Sequence, residues 1–294
     1  MSDSPSSLVS RGDLQRGAAF MVGAALLFAA MGVMVQLCSR TLPNTMVVFL
    51  RSSLSLLLLT PWFFGRSRVG LQSAHLKEHL LRGLVGMGGM YCFFYSIAHL
   101  RLADALLLNY SLPLFVPLVE RVWLGEPIPK GLWRVLALGS CGLLLILKPE
   151  LTILRPAALV GLLSAILSAT AQVGVRGLTR TEPVLRIVYY FGIVSSLVAL
   201  GPALATWVTP RVELLPALLA LGLSATLAQL LMTRAYAHAP AAQIGPFIYT
   251  SVVFGAVFDA LIFHRLPDRF TVLGGVLVIL AGVAVLRLRK AQPR

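Results

Sequence analysis

Long apolar stretches recur from one end of this chain to the other, and this recurrence constrains the fold more than any other feature. A helix of about 20 residues crosses a hydrocarbon core of roughly 30 Å, so each stretch predicts one transmembrane helix. Several stretches are short or interrupted by proline, which leaves nine or ten helices. The predicted spans are residues 17–38, 45–64, 80–98, 103–122, 131–147, 157–175, 184–206, 214–232, 240–262 and 270–286.

Composition supports the same interpretation and excludes a water-soluble core. Hydrophobic residues make up 57% of the 294 residues and charged residues only 12%, whereas soluble domains are roughly half apolar and a quarter charged. The first span follows a polar leader and is longer than the core of a signal peptide, so we expect it to be retained. The chain is therefore predicted to be an all-α integral membrane protein.

The net charge of +14 could indicate a nucleic-acid partner, but the distribution of the charges favours a membrane explanation. Of the 25 lysines and arginines, seventeen lie in segments that share a side with both termini, and seven lie on the other side. Cytoplasmic segments of membrane proteins carry such an excess. We therefore predict an even number of spans, both termini in the cytoplasm and no nucleic-acid partner.

Residues 95–129 resemble residues 233–267 in the order of their features. Each segment has an alanine-rich start to a span, a polar and proline-containing middle, an acidic residue near the far end and a proline-containing loop. Because five crossings leave the chain on the opposite face, two five-span units must be antiparallel, a plan that recurs in secondary transporters. The predicted organisation is a cytoplasmic leader (1–16), a first five-helix repeat (17–148), a linker (149–156), a second, inverted five-helix repeat (157–286) and a basic tail (287–294).

Four features together resemble one transporter family. They are LGEP at 124–127, Phe49 and Arg51 in the second span, GPFIYT at 245–250, and the doubled five-span unit. Their order is similar to that of the EamA-type members of the drug/metabolite transporter superfamily, and most like bacterial amino-acid and metabolite exporters of the YddG type. The resemblance implies a ten-helix carrier with a central cavity, located in a bacterial inner membrane. The second half departs from the first, with FHR at 263–265 where the first half has Leu-Gly-Glu.

Polar side chains within the spans are the candidate substrate ligands, because an amide or hydroxyl that faces lipid leaves its hydrogen bonds unmade. Tyr91 and Tyr95 lie about one helical turn apart, and Gln172 and Gln229 each belong to a polar stripe on their own span. Inverted halves surround a site near the middle of the membrane. Hydrogen bonding that only holds helices together is the alternative explanation for any one of these residues. The predicted substrate-binding residues are Tyr91, Tyr95, Asn109, Gln172, Gln229 and Tyr249.

The ionisable residues of the spans are interpreted as structural. Arg51 could reach backbone carbonyls, the outer interface or Asp104, while Glu120 and Asp259 lie near span ends beside basic neighbours. Tyrosines and amides suit a zwitterionic ligand, whereas a dedicated anion carrier would be expected to place arginine or lysine in the polar stripes. The predicted substrate is therefore a small zwitterionic or amphipathic metabolite.

The leading hypothesis is a secondary transporter that works by alternating access, with export of amino acids as the first choice. Among transporters, the alternative is an uptake carrier for a larger metabolite such as a vitamin or S-adenosylmethionine. From another class, the alternative is a non-transporting membrane enzyme or scaffold. No catalytic, metal-binding or cofactor-binding motif stands out, so we expect a non-enzyme with no catalytic residues, no metal and no cofactor. The expected partners are a small-molecule substrate and the lipid bilayer. The sequence does not decide whether the chain forms a homodimer.

Reporter fusions at Ser2 and Arg294 test the predicted orientation. Because positively charged segments favour the cytoplasmic side, both fusions should report the cytoplasm. A reporter active only in the cytoplasm and another active only outside it, fused in turn at each position, measure this directly. Finding either end outside would contradict the even span count and the inverted repeat that depends on it.

Overall fold

The chain is a bundle of α-helices in a computed structural model that describes residues 11–64, 70–100, 102–148, 156–264 and 266–288. These ranges contain no β-strand, so the predicted all-α class is confirmed. Two short 3-10 segments cover Val212–Leu214 and Gly245–Tyr249. The helices are α1 (Arg11–Cys38), α2 (Asn44–Phe64), α3 (Leu76–His99), α4 (Leu102–Tyr110), α5 (Leu112–Leu124), α6 (Leu132–Leu147), α7 (Pro156–Leu178), α8 (Val184–Ala205), α9 (Leu215–His238), α10 (Ala241–Ile244), α11 (Thr250–Phe263) and α12 (Arg269–Leu288).

These twelve helices make ten crossings, because α4 with α5, and α10 with α11, each form one interrupted span. In the described ranges, eight spans are long and apolar enough to cross a membrane, and α6 is a shorter apolar helix of 16 residues. The tenth crossing is α3, whose 24 residues extend about 36 Å. The first helix begins at Arg11, within the predicted leader. The predicted linker falls almost wholly outside the described residues, as do most of the leader and the tail.

Two of the crossings are interrupted at equivalent places in the two halves. The first interruption is the turn at Ser111, just before Pro113 in the first turn of α5. The second is the 3-10 segment Gly245–Tyr249, which contains Pro246. Proline has no N–H to donate and clashes with the preceding turn, so each proline favours a break. Irregular backbone at membrane depth is tolerated only where protein or a cavity surrounds it.

Helix pairing follows the pseudo-two-fold symmetry expected of an inverted repeat. The first helix of one half packs on the third crossing of the other half, as α1 with α9 and α7 with α3. The second crossings of the two halves, α2 and α8, pack on each other, and so do the last crossings, α6 and α12. Each half therefore completes the other, and the seam between them runs through the middle of the bundle.

Small residues allow these helices to approach closely. At the crossing of α6 and α12, a Cβ added to Gly142 would lie 2.6 Å from the carbonyl oxygen of Gly274, and one added to Gly274 would lie 2.5 Å from that of Gly142. On α3, a Cβ added to Gly83 would lie 2.6 Å from a methyl group of Val194 on α8. Side chains larger than hydrogen do not fit these contacts, so these three glycines serve packing between the halves.

A buried carboxylate also connects the two halves. Glu120 of α5 is only 1% exposed, and its two oxygens accept hydrogen bonds from the backbone N–H groups of Ala241 at 2.6 Å and Ala242 at 2.7 Å. These N–H groups belong to the first turn of α10 and have no partner within that helix. Glu120 therefore caps a helix of the other half. The side chain of Asp259, interpreted in the same way from the sequence, lies outside the described residues.

Replacing Glu120 with alanine should lower the free energy of unfolding by about 3 kcal/mol, because two charge-assisted hydrogen bonds are lost and two buried N–H groups lose their acceptors. Thermal unfolding of the purified protein in detergent measures the change. Glu213→Ala is the matched control, since Glu213 is exposed in the turn before α9. A melting temperature for E120A equal to that of the control would contradict the capping role.

Candidate functional site

A cavity of about 410 Å³ lies at the seam between the two halves. Its lining includes residues of α1 to α5 from the first half and residues of α7, α8, α9 and α11 from the second half. Sites for small molecules occupy roughly 300–1,000 Å³ and are mostly apolar with a few placed polar groups. This cavity has that size and that character, at the place where inverted repeats bind their substrates.

The lining of the cavity reaches an exposed residue at one membrane face and ends at buried residues toward the other. We call the face at which α1 begins the N-terminal face, and the other the opposite face. At the opposite face the lining includes Val35 near the end of α1 and the exposed Asn44 at the start of α2. Toward the N-terminal face the lining ends at Arg82, Val175 and Met232.

Three of the six predicted ligands line this cavity. The side-chain N–H of Asn109 donates to the hydroxyl of Ser164 at 3.1 Å. The amide oxygen of Gln172 accepts a hydrogen bond from the hydroxyl of Tyr236. Gln229, which is 8% exposed, accepts from Arg82 at 3.1 Å. The structure thus brings together one amide from α4, one from α7 and one from α9.

The three predicted tyrosines lie outside this lining. Tyr95 is 47% exposed, and its ring stacks on His99 with 4.1 Å between ring centroids. Tyr91 is partly buried, and its hydroxyl has no hydrogen-bond partner among the described residues. Tyr249 is fully buried, and its hydroxyl lies 3.4 Å from that of Ser140 on α6. Spacing along a helix places residues on one face, but it does not determine which neighbour that face meets.

Two arginines line the cavity that the sequence analysis did not place there. Arg82 is 4% exposed, donates to Gln229 and lies over the ring of Phe191, with its guanidinium carbon 3.6 Å from the ring centroid. The Nη1 of Arg51 lies 3.9 Å from the sulfur of Met90. The polar stripes read from the sequence contain amides and tyrosines, whereas the cavity lining also contains these two guanidinium groups. Arg51, interpreted as structural from the sequence, is recognisable there as a charge inside a span, whereas Arg82 lies near the predicted start of the third span.

The rest of the lining is largely apolar and rich in aromatic rings and thioethers. Phenylalanines come from α1, α3 and α8, and methionines come from α1, α3 and α9. Such side chains bury the apolar part of a ligand, and methionine adapts to irregular shapes. The residues of this kind are Phe28, Phe93, Phe94, Phe191, Met31, Met90 and Met232.

Polar contacts close the bundle at the N-terminal face, below the cavity. Glu126, of the LGEP segment, accepts hydrogen bonds from Arg180 and, at 3.3 Å, from Arg176. Arg176 also donates to the backbone oxygen of Tyr236 at 2.8 Å. These bonds connect the loop after α5 with α7 and α9. Tyr236 in turn donates a hydrogen bond to Gln172, which lines the cavity. This set of contacts therefore extends from the N-terminal face to the floor of the cavity.

A second cluster at the same face joins the segment before α3 to the start of α8. Glu182 accepts hydrogen bonds from the hydroxyl of Ser73 and from Arg186, both at 2.6 Å. Burial raises the pKa of Glu182, but the hydrogen bonds from Ser73 and Arg186 outweigh burial, and the net pKa lies below its usual value. The carboxylate is therefore ionised at neutral pH and holds this corner of the bundle together.

Within the described ranges, no group of three or more His, Cys, Asp or Glu side chains could hold a metal ion. In the sequence, His99, Arg101 and Asp104 form a compact polar cluster, but Arg101 and the side chain of Asp104 lie outside the described residues. The cavity lining offers hydrogen-bond donors, two guanidinium groups and apolar walls.

Comparison with known proteins gives a consistent result. A profile of the EamA-like transporter family matches residues 15–148 and again residues 155–288. A solved crystal structure superposes on this chain with a TM-score of 0.80, covering 94% of this chain and 99% of the other at 18% identity. At that identity the likeness concerns the fold alone.

Two groups of relatives have names that state a substrate. The pseudopaline exporter CntI of Pseudomonas aeruginosa is 35% identical over 279 residues, which are 94% of this chain and 98% of the relative. The S-adenosylmethionine uptake transporter of Rickettsia bellii is 28% identical over 262 residues, which are 89% of this chain and 90% of the relative. This chain is thus similar along nearly its whole length to one named exporter and one named importer.

Substitutions can distinguish the role of the amides that line the cavity from the role of the tyrosines outside it. Gln172→Leu and Gln229→Leu should each weaken substrate affinity by about tenfold, because a hydrogen bond to the ligand or to its arginine is lost. Tyr95→Phe should leave affinity unchanged, because its ring faces His99 and not the cavity. Concentration dependence of flux in proteoliposomes and melting temperatures in detergent measure both properties. Lower stability with normal affinity for both leucine variants would show that these amides only hold helices together.

Proposed function

The chain belongs to the EamA-like transporter family, and from this premise we propose that it exports a small amphipathic metabolite with amino and carboxyl groups by alternating access. The observation that carries the proposal is the cavity at the seam, in which both halves supply polar side chains. The family prediction made from the sequence is confirmed by the two matches. The protein is therefore a membrane transporter, and the substrate class and direction are what we propose.

The chemistry of the cavity supports such a substrate. The guanidinium groups of Arg51 and Arg82 suit carboxylates, and the amides of Asn109 and Gln172 suit ammonium, hydroxyl or amide groups. The aromatic and thioether walls suit an apolar body. Amino acids belong to this class, and they remain the first candidates that the family resemblance suggested.

The arrangement of the two faces supports alternating access. The lining of the cavity reaches the exposed Asn44 at the opposite face, while contacts such as that of Arg176 with Glu126 join the helices at the N-terminal face. With the predicted cytoplasmic N terminus, this is the outward-open state, from which an exporter releases its substrate. Opening the other face requires the bonds between Glu126, Arg176 and Tyr236 to break. Rocking of one inverted half against the other would open one face as it closes the other.

The direction is proposed from the relatives. The named exporter is more similar to this chain than the named importer, at 35% against 28% identity, and it covers more of the chain. Uptake of S-adenosylmethionine is the second candidate, because the Rickettsia relatives also match most of the chain. That molecule carries a sulfonium cation, which two arginines in the cavity would repel. Export of a metabolite without a fixed positive charge therefore fits the cavity better.

Blocking the cavity should abolish transport without unfolding the protein. Gly32 lines the cavity, and a Cβ added there would meet nothing within 4 Å. Gly32→Phe should therefore fill the cavity and reduce flux to the level of empty liposomes. Gly201→Phe on α8 is the matched control, because Gly201 is exposed and also has nothing within 4 Å of an added Cβ.

The measurement is counterflow of radiolabelled amino acids and S-adenosylmethionine in proteoliposomes, with melting temperatures of all variants. We expect amino-acid counterflow in the wild type and in G201F, and none in G32F. Counterflow of S-adenosylmethionine alone would establish the second candidate in place of the first. Absence of flux for every solute, with chemical turnover of a lipid, would contradict a transport function altogether.

A further inference from the structure

The two arginines lie at different depths of the same cavity. Arg51 is seven residues from the start of α2 at the opposite face, and Arg82 is six residues from the start of α3 at the N-terminal face. Arg51 contacts Met90, which lies eight residues beyond Arg82 on α3, a distance of about 12 Å along that helix. One guanidinium therefore lies toward the mouth of the cavity and the other at its floor.

Neither charge is neutralised by the protein groups that line the cavity. The described lining contains no aspartate and no glutamate. Arg82 is only 4% exposed, and among the residues that the structure describes its Nε and Nη1 have no hydrogen-bond partner, nor has the Nε of Arg51. The ring of Phe191 and the amide of Gln229 satisfy only part of Arg82.

A charge in the middle of a membrane protein is expensive, and such residues pair with each other, with backbone groups or with a substrate. A guanidinium presents planar pairs of donors that match the two oxygens of a carboxylate. We propose that Arg51 and Arg82 form two separate carboxylate subsites. The substrate of the export function proposed above would then carry at least two carboxylates and extend from the mouth of the cavity to its floor.

Other residues of the cavity lining suit the rest of such a molecule. Asn109 on α4 and Gln172 on α7 line the cavity and offer donors and acceptors to amino or hydroxyl groups. Phe93 and Phe94 supply apolar walls for a carbon chain. A short amino acid with one carboxylate would leave one guanidinium without an anion, so it would bind less tightly than a longer diacid.

Binding of a graded series of amino diacids to the purified full-length protein in detergent tests this directly. The probes are glutamate, 2-aminoadipate, 2-aminopimelate and 2-aminosuberate, each paired with its ω-amide, which has the same shape and one carboxylate fewer. Affinity is measured by calorimetry or by the shift in melting temperature. The longer diacids should bind at least about tenfold more tightly than their ω-amides, since one charge-assisted pair is absent from the amide.

Substitution of each arginine locates the two carboxylates. Arg51→Gln and Arg82→Gln should each weaken diacid binding by about 10-fold to 100-fold, while only one of the two should weaken binding of the ω-amide. Arg40→Gln is the matched control, because Arg40 is exposed at the same face as Arg51. Arg→Lys variants repeat the test with the charge retained. They should show the same pattern with smaller losses, because the planar pair of donors is missing.

Three results would overturn the two subsites: equal affinity of diacids and ω-amides, no binding of any diacid, or equal losses for both ligand types in both arginine variants. The last result would mean that a single carboxylate interacts with both arginines. Flux in proteoliposomes, measured in parallel, separates this inference from the proposed function. Diacid binding without flux would overturn only the transport function, whereas flux of neutral solutes unaffected by either arginine would overturn only the subsites.

Discussion

The constraint on which this structure depends is that polar groups at membrane depth must find partners within the protein. Lipid tails offer no hydrogen bonds, so helices satisfy their own backbone, and departures from the helix are confined to protected places. The broken crossings show this, since Tyr110 beside the first break and Ile248 within the second both line the cavity. Glu120 shows it for a side chain, because a buried carboxylate is matched to N–H groups that α10 cannot satisfy itself.

The same constraint makes the seam between the halves the functional part of the molecule. Away from the cavity the two halves also pack through small residues, as at the crossing of Gly142 and Gly274, where there is no space for a ligand. Around the cavity, polar side chains come from both halves and space remains between them. A duplicated, inverted unit therefore yields closely packed outer helices and a polar cavity from one repeated plan.

Charge is distributed unequally along the path that a substrate would take. The N-terminal face is held by contacts in which Arg176 and Arg186 meet acidic partners, Glu126 and Glu182. In the cavity, the arginines have no such partners among the lining residues. Ion pairs at the face can break and re-form when the bundle opens, because water replaces the lost contacts, whereas an unpaired charge in the cavity is available to a ligand.

The sequence by itself determined that the chain lies in a bilayer, that it crosses the bilayer about ten times and that it contains a duplication. Length, hydropathy and the order of features can all be read directly along the chain. It also marked Asn109, Gln172 and Gln229 as side chains that must turn inward. Only the tertiary structure decided which inward face meets the cavity. Tyr95 faces His99 while Arg82 extends into the cavity, because the side that a helical stripe faces depends on the rotation of that helix against its neighbours. That rotation is set by packing between distant segments, and no local pattern records it.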